Sequence, residues 1–347
     1  MKILKLMSPF IAITFSILPA SGACTFFSEN SILFSGNSNQ TLSLEVAEYL
    51  KAPLGDAKVG RFNDGEIQIS VKDNVRNKDV YILQSNCPTL DMSVNDSIME
   101  LYLMVRTMKR ASANQITAVI PYYGYARQDR KTTSRVPISA ADIALMLEEA
   151  GIDRVVTIDL HCGQIQGFFR NIPVDNLFAT SVFIDHFITK QIPECVVVSP
   201  DAGGVARAKQ FMDQLNKKGI KAELAMISKQ REKAGEVASM QLIGHVADKP
   251  AIIVDDICDT GGTLVKAATL LKEVGASQVY AMITHPVFSK NAIELIGNSC
   301  IDQMFITNTV PLKKELPKNI TCLSVGPLIG EALKRIESGE SISGLFN

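Results

Sequence analysis

The sequence has 347 residues, of which 46% are hydrophobic and 20% are charged, and its formal net charge is −1 at pH 7. This length is enough for two domains of ordinary size, each with a substantial core. A near-neutral chain has no basic field for nucleic acid, so we expect no nucleic-acid partner. Seven cysteines without a CxxC pair indicate reduced thiols rather than a disulfide framework or a zinc site.

Residues 1–31 have the layout of a secretory signal. Lys2 and Lys5 precede an apolar run over residues 6–18, and small residues precede Cys24. A positive start, an apolar run and a small-residue cleavage site are typical of export. The run is too short for a transmembrane helix, so we expect no membrane span.

From residue 32 onward, strand and helix patterns alternate. Short apolar runs bounded by turns predict buried strands, and amphipathic segments between them predict helices. This alternation indicates an α/β fold with doubly wound parallel sheets. No low-complexity linker divides the chain, so repetition of the pattern sets a domain boundary near Thr180. The predicted strands are Asp79–Leu83, Ile116–Pro121, Arg154–Asp159, Cys195–Ser199, Ala251–Val254 and Gln278–Ile283, and the predicted helices include Ser93–Arg110, Ser139–Ala150 and Val205–Lys217.

The stretch Ala251–Thr263, AIIVDDICDTGGT, is the most informative in the chain. The sequence predicts a buried strand to Val254, then two carboxylates, then a turn, and a helix from about Leu264. Glycines in such a turn let backbone N–H groups face an anion, and the helix N-terminus adds a favourable dipole. A strand-to-helix turn that merely requires glycine is the alternative. The predicted phosphate-binding residues are Asp259, Thr260, Gly261, Gly262 and Thr263, with Asp255 and Asp256 placed for sugar hydroxyls or a divalent cation.

Several further blocks occur together with this loop. They are RFNDGE at 61–66, YYGYARQDRK at 122–131, DLH at 159–161, QIQGFF at 164–169 and SPDAGG at 199–204. The loop resembles that of the type I phosphoribosyltransferases and of the ribose-phosphate diphosphokinases, and the further blocks resemble the latter family alone, in the family's order. The resemblance runs from about Ile32 to the end of the chain.

The resemblance implies two phosphoribosyltransferase-like domains, at 32–180 and 181–334, with a segment at 335–347 packing back on the first. It implies transfer of the diphosphoryl group of ATP to O1 of ribose 5-phosphate, giving 5-phosphoribosyl 1-diphosphate for nucleotide biosynthesis, and AMP. It also implies a homohexamer built from dimers. A phosphoribosyltransferase and a non-catalytic regulatory paralogue are the alternatives. The sequence has no Gly-Lys pair and therefore no Walker P-loop.

Three groups of residues match the family's nucleotide and catalytic positions. Phe62 would stack on adenine beside Asp64 and Glu66, on a segment whose alternation places the polar residues on one face. A surface hairpin with ordinary charges is the other interpretation of that segment. Arg127 and Gln128 are expected to bind the phosphates of ATP. Lys229 and Arg231 are expected to act in catalysis, on a mobile segment that closes over the reaction.

The metal expected by resemblance is Mg²⁺, with His161 and Asp201 contacting it or its waters. Asp159 is expected at the same metal site, because Asp159 and His161 alternate around Leu160, which would put both side chains on one face. Oxygen donors and phosphates favour magnesium over zinc. The block at Phe168–Pro173 departs from the family, since it is one residue longer and has Arg170 where an aspartate is usual. Because ATP and sugar phosphates are kept inside cells, we favour a cytoplasmic protein with a non-exported N-terminal extension over a secreted one.

Overall fold

The computed structural model of the chain describes residues 27–230 and 239–346. The first part of the chain forms a parallel five-stranded sheet with the order β1-β4-β5-β6-β7, beside a two-stranded hairpin of β2 and β3. Short apolar runs such as DVYIL form its buried central strands. The strands are β1 Ser31–Ser35, β2 Ala57–Arg61, β3 Ile67–Val71, β4 Asp79–Leu83, β5 Gln115–Ile120, β6 Arg154–Ile158 and β7 Val174–Leu177.

The second part forms a seven-stranded sheet with the order β10-β9-β8-β11-β12-β13-β14. The strand β10 pairs antiparallel with β9 at one edge, and the other pairings are parallel. The predicted α/β class with doubly wound parallel sheets is therefore confirmed. The strands are β8 Glu194–Ser199, β9 Lys221–Gln230, β10 Ser239–Ile243, β11 Ala251–Cys258, β12 Val279–Pro286, β13 Gln303–Thr307 and β14 Ile320–Leu323.

Amphipathic helices cover the sheets. The helix over 94–110 begins with a capping box in which Ser93 and Asp96 exchange hydrogen bonds, which satisfies backbone N–H groups at its N-terminus. The helices are α1 Gln40–Leu50, α2 Val94–Arg110, α3 Ser139–Ala150, α4 Thr180–Ile188, α5 Val205–Lys217, α6 Gly262–Glu273, α7 Ala292–Gly297 and α8 Gly326–Ser338, with 3-10 turns at Gly163–Phe168 and Ser343–Phe346. In the parts of the chain described, none of these helices is long and apolar enough to cross a bilayer.

One hydrophobic core joins the two sheets. Leu33 and Tyr81 of the first sheet share it with Val197, Ile252 and Phe305 of the second. Separate clusters fill the outer faces of each sheet. The two domains are therefore packed through a common apolar interior, which places the ends of their strands beside one another.

The last helix returns to the first domain. In α8, Glu331 accepts a hydrogen bond from the Tyr49 hydroxyl at 2.8 Å, and Glu337 accepts one from Tyr81 at 2.9 Å. Gly330 allows this approach, since a Cβ there would lie 2.4 Å from the Tyr49 ring. The helix runs through the predicted boundary at residue 335, so the contact with the first domain begins earlier in the sequence.

Three local expectations need correction. The strand β11 continues to Cys258, so Asp255 and Asp256 lie within the strand rather than after it, and α6 begins at Gly262. The predicted alternating segment at 62–66 is the turn between β2 and β3. The fold also begins before residue 32, since Phe27 is 4% exposed and its ring packs 4.9 Å from that of Tyr81.

Candidate active site

A cavity of about 770 Å³ lies at the carboxyl ends of strands from both sheets. This is where open α/β sheets bind ligands. The first domain contributes mainly cationic groups and the second mainly carboxylates. The polar lining includes Arg127, Asp129, Arg130 and His161 from the first domain, and Asp201, Arg207, Asp255, Asp256, Asp259, Thr260, Gly261 and Thr263 from the second.

The residues Asp259–Thr263 form the turn that leads into α6 and the first two residues of that helix. Gly261 has φ 76°, in the left-handed region that favours glycine, and it precedes the first residue of the helix. The backbone N–H of Ser289 donates a hydrogen bond to the carbonyl of Asp259 at 2.9 Å, which holds the start of the loop in place. Thr260, Gly261 and Thr263 line the cavity. The helix N-terminus and these hydroxyls suit a phosphate.

The carboxylates of Asp255 and Asp256 contact a guanidinium, that of Arg207, whose side chain is 17% exposed. Arg207 Nη1 lies 2.9 Å from Asp256 Oδ1 and 3.6 Å from Asp255 Oδ1. Burial and the neighbouring charge of Asp256 raise the pKa of Asp255. Burial acts against ionisation of Asp256 too, but Arg207 and His161 outweigh it and lower its pKa. The pair thus combines one firmly ionised carboxylate with one that holds its proton more readily.

His161 joins the two domains across the cavity. Its Nδ1 lies 2.8 Å from Asp256 Oδ2, and this hydrogen bond raises the pKa of His161 against the effect of burial. Asp201 lies in the turn that follows β8, where its Oδ1 accepts a hydrogen bond from the Gly204 N–H at 3.1 Å. Both side chains line the cavity, as expected if they face one metal-bound phosphate group.

The donor set fits magnesium held together with a substrate. Among residues 27–230 and 239–346, no group of three His, Cys, Asp or Glu side chains is arranged to hold a metal ion alone. Magnesium commonly takes one or two carboxylates, several waters and the phosphates of its substrate. Asp201 supplies one carboxylate to the cavity that the turn Asp259–Thr263 also lines, and His161 would contact such an ion through its waters.

Asp159 occupies a different position from the one predicted. Its carboxylate is buried and accepts hydrogen bonds from the Thr284 hydroxyl at 2.6 Å and from the Ala179 N–H at 3.1 Å. It is not among the residues that line the cavity. The strand β6 ends at Ile158 and Asp159 has φ 42°, so the alternation used to place it beside His161 does not continue. Asp159 fixes the strand end rather than facing the cavity.

Arg127 and Gln128, predicted together, have separate surroundings. Arg127 Nη1 lies 2.7 Å from Asp259 Oδ2, an ion pair between the domains. Burial raises the pKa of Asp259, but hydrogen bonds from Ser289 and Arg127 outweigh it, so the pKa is lowered. Gln128 accepts a hydrogen bond from the Ser139 hydroxyl at 2.5 Å and lies outside the cavity lining. Only Arg127 of this pair lines the cavity.

The predicted adenine-binding residues project from the hairpin turn. Phe62 is 50% exposed, and its N–H donates to the carbonyl of Glu66 at 2.8 Å. Asp64 Oδ1 accepts a hydrogen bond from the N–H of Glu66. These three residues, Phe62, Asp64 and Glu66, are not part of the cavity lining.

The predicted catalytic cations, Lys229 and Arg231, lie on either side of residue 230, where the first described range ends. Lys229 belongs to β9, where its backbone is paired with Met240 of β10. Arg231 lies outside the described residues. Their predicted role therefore stays a prediction.

Comparison with known proteins identifies the family. Residues 31–151 match the family model described as the N-terminal domain of ribose phosphate pyrophosphokinase, and residues 212–347 match the phosphoribosyl synthetase-associated domain. A ribose-phosphate pyrophosphokinase of Campylobacter jejuni is 49% identical over 315 residues, which cover 90% of this chain and 98% of that protein. The chain belongs to the ribose-phosphate pyrophosphokinase family. The resemblance drawn from the sequence is thereby confirmed.

Another relative and a solved structure of the family also match most of the chain. Ribose-phosphate pyrophosphokinase A of Dictyostelium discoideum is 48% identical over 318 residues, covering 91% of this chain and 97% of that one. The crystal structure of phosphoribosylpyrophosphate synthetase from Mycobacterium smegmatis superposes with a TM-score of 0.82 at 36% identity, covering 90% of this chain and all of that one.

The loop that departs from the family pattern is held by hydrogen bonds. The carboxylate of Glu148 accepts from the backbone N–H groups of Arg170 and Asn171, at 2.9 and 2.8 Å, and from the Asn171 amide. Burial raises the pKa of Glu148, but these hydrogen bonds outweigh it and lower the pKa. The longer loop is therefore accommodated at the C-terminal end of α3.

Sequence analysis missed Arg207 as a site residue. One signal was available, because an arginine in the first turn of a helix opposes the helix dipole and needs an acidic partner. Its partners, Asp255 and Asp256, lie on a strand that is distant in sequence. Local patterns did not connect them.

Proposed function

We propose that the protein is a ribose-phosphate diphosphokinase, transferring the diphosphoryl group of ATP to O1 of ribose 5-phosphate to give 5-phosphoribosyl 1-diphosphate and AMP. The observation that carries this is the cavity that brings the turn Asp259–Thr263, the carboxylates of Asp255 and Asp256, and the side chains of Arg127 and His161 together. Family membership supports the same activity.

The second domain would hold ribose 5-phosphate. The turn Asp259–Thr263 would take the 5-phosphate, since its helix N-terminus and hydroxyls favour an anion. Asp255 and Asp256 would accept hydrogen bonds from the ribose hydroxyls. This pose would direct O1 toward the β-phosphorus of ATP, so that positioning supplies much of the rate.

Residues of both domains would hold the triphosphate. Arg127 would exchange its contact with Asp259 for phosphate oxygens, which its planar fork matches. Asp201 and His161 would hold magnesium directly or through waters, and the ion when bound would neutralise charge on the phosphate oxygens. Lys229 and Arg231 would meet the charge that develops as the bond to AMP breaks.

The hairpin would act on the nucleotide of another subunit. Phe62, Asp64 and Glu66 lie outside the cavity of their own chain, and Phe62 is half exposed. An aromatic side chain in that position is suited to stack on a base that a neighbouring copy holds. This supports a homo-oligomer, with the hexamer of dimers implied by the sequence as the specific proposal.

Assay of the purified full chain with ribose 5-phosphate and magnesium ATP tests the function. AMP and 5-phosphoribosyl 1-diphosphate should form in equal amounts, and a chelator of magnesium should stop the reaction. Formation of ADP, or no turnover, would contradict the proposal. Consumption of 5-phosphoribosyl 1-diphosphate with a nucleobase would identify a phosphoribosyltransferase instead.

Localisation is proposed to be cytoplasmic because both substrates are intracellular. Deleting residues 1–26 should therefore leave an active protein. Deleting residues 1–30 also removes the buried Phe27, and loss of a buried phenylalanine costs about 3–5 kcal/mol of stability. Thermal unfolding should show a lower midpoint for the longer deletion alone. An inactive 1–26 deletion, or a mature protein outside the cell that begins near Cys24, would contradict this proposal.

A further inference from the structure

Arg207 lies where the ribose-binding carboxylates meet the first domain. Its side chain is 17% exposed in the first turn of α5. Besides the ion pairs with Asp256 at 2.9 Å and Asp255 at 3.6 Å, its Nη2 donates to the backbone carbonyl of His161 at 3.5 Å. One guanidinium thus contacts three residues that surround the cavity.

Stability of the fold alone does not explain the placement of Arg207, because the placement costs free energy. Burying a guanidinium requires desolvation, and a cation at a helix N-terminus opposes the dipole. A buried ion pair often stabilises a fold no better than well-packed apolar side chains of the same volume. The planar fork, however, fixes the directions of its acceptors in a way that an apolar side chain does not. The geometry therefore favours orientation of the carboxylates as its purpose.

Asp256 shows what is being oriented. Its Oδ1 faces Arg207 and its Oδ2 faces His161 Nδ1. A carboxylate has about four lone-pair sites, so each oxygen keeps capacity for a further donor after these contacts. With its plane fixed from two sides, the remaining lone pairs have defined directions.

We propose that Arg207 is a positioning residue that holds the carboxylates of Asp255 and Asp256 in the orientation that accepts ribose hydroxyl groups, an inference that rests on the proposed function. It acts on ribose 5-phosphate through these carboxylates and does not contact ATP. Affinity for ribose 5-phosphate should therefore depend on Arg207 much more than affinity for ATP does.

The variants Arg207→Met and Arg207→Lys test this. Calorimetric titration with ribose 5-phosphate in the absence of ATP should give a Kd about tenfold to a hundredfold higher for Arg207→Met, the scale of a lost hydrogen bond to a charged group. Arg207→Lys should recover part of the affinity, since an ammonium keeps the charge but not the fork. In steady-state assays, KM for ATP should stay within about twofold of wild type for both variants.

A matched control lies two residues further along the same helix. Lys209 forms an exposed pair with Asp213 at 2.6 Å, so Lys209→Met removes one cation of α5 without touching the cavity. Its affinity for ribose 5-phosphate should equal that of wild type. Combining Arg207→Met with Asp256→Asn should raise the Kd by less than the product of the single effects, because residues in contact are coupled.

Several results would overturn the inference. One is an unchanged Kd for ribose 5-phosphate in Arg207→Met, and another is an equal loss of affinity for both substrates. A third is a loss of affinity for ATP alone, which would make Arg207 a ligand of the ATP phosphates. If Arg207→Met does not fold, Arg207→Lys decides, and a raised Kd with unchanged KM for ATP supports the proposal. A wild-type protein that neither binds ribose 5-phosphate nor forms AMP would instead contradict the proposed function.

Discussion

The cavity and the hairpin turn differ in how the chain holds them. Around the cavity, side chains from the two domains are already paired, with Arg127 2.7 Å from Asp259 and His161 2.8 Å from Asp256. At the turn, Phe62 is half exposed and its N–H is bonded within the turn itself. The cavity is thus pre-organised within a single chain, whereas the hairpin turn would complete its part of the proposed site only by contact with a second copy.

The largest effect is expected on the cavity side, from Lys229→Ala. We expect kcat to fall by about a hundredfold to a thousandfold, the usual cost of removing a donor that stabilises the transition state. Affinity for either substrate should change far less, because the charge develops only during transfer. Steady-state kinetics at saturating substrates measures the effect, and Lys229→Arg should recover only part of it.

Lys221→Ala is the matched control, since Lys221 lies at the start of the same strand and forms a long, exposed ion pair with Glu194 at 3.9 Å. The kcat of Lys221→Ala should be close to that of wild type. Turnover of Lys229→Ala above half the wild-type value would show that Lys229 is a surface cation.

The features that sequence analysis predicted well are local ones. Asp79–Leu83, Ser139–Ala150 and Val205–Lys217 have the predicted bounds, because apolar runs and helical periodicity reflect burial of each element. The turn Asp259–Thr263 was also predictable, since strand, turn and helix follow one another directly in the sequence.

The features it missed depend on contacts between distant elements. Arg207 becomes part of the site only because β11 lies beside β8 in the sheet. Asp159 was misplaced because the rule of alternation applies within a strand, and β6 ends one residue earlier. Its carboxylate then bonds to Thr284 of the second domain, a contact that no local pattern contains.

The next largest effect is expected at the hairpin, from Phe62→Ala. Loss of a base–aromatic stack should weaken ATP binding by about 1–3 kcal/mol, while affinity for ribose 5-phosphate changes little. Titration with each substrate separates the two. Leu90→Ala is the control, because Leu90 is an apolar side chain that is 78% exposed and belongs to the loop between β4 and α2. If Phe62→Ala binds ATP as wild type does, the turn is only a surface hairpin.

Mixing two defective variants tests whether the hairpin acts on a neighbouring chain. Phe62→Ala and Lys229→Ala subunits should be weakly active alone at low ATP concentration. If each site takes Phe62 from one subunit and Lys229 from another, random reassembly of equal amounts should restore roughly one quarter of the wild-type sites. Dissociation, mixing and reassembly followed by the AMP assay measures this. No recovery, despite mixed oligomers, would place both residues in the same chain's site.

The smallest effect is expected from Arg61→Ala, which loosens the hairpin from its own domain. Arg61 Nη1 lies 3.2 Å from Asp96 Oδ1 of α2 and donates to the Gly65 carbonyl at 3.1 Å, with about a third of both side chains exposed. An ion pair this exposed contributes less than about 1 kcal/mol. If contact with a second copy orders the turn, KM for ATP should rise by less than about threefold, well below the effect of Phe62→Ala.

Lys72→Ala is the control at the other end of the hairpin, where Lys72 forms an exposed pair with Asp56 at 2.9 Å. The two variants should match in thermal midpoint, and their KM values for ATP should differ by less than about threefold. A loss of ATP affinity in Arg61→Ala as large as that in Phe62→Ala would mean that the chain itself orders the turn through Asp96. The turn would then be pre-organised in the same way as the cavity, and the contrast between the two regions would not hold.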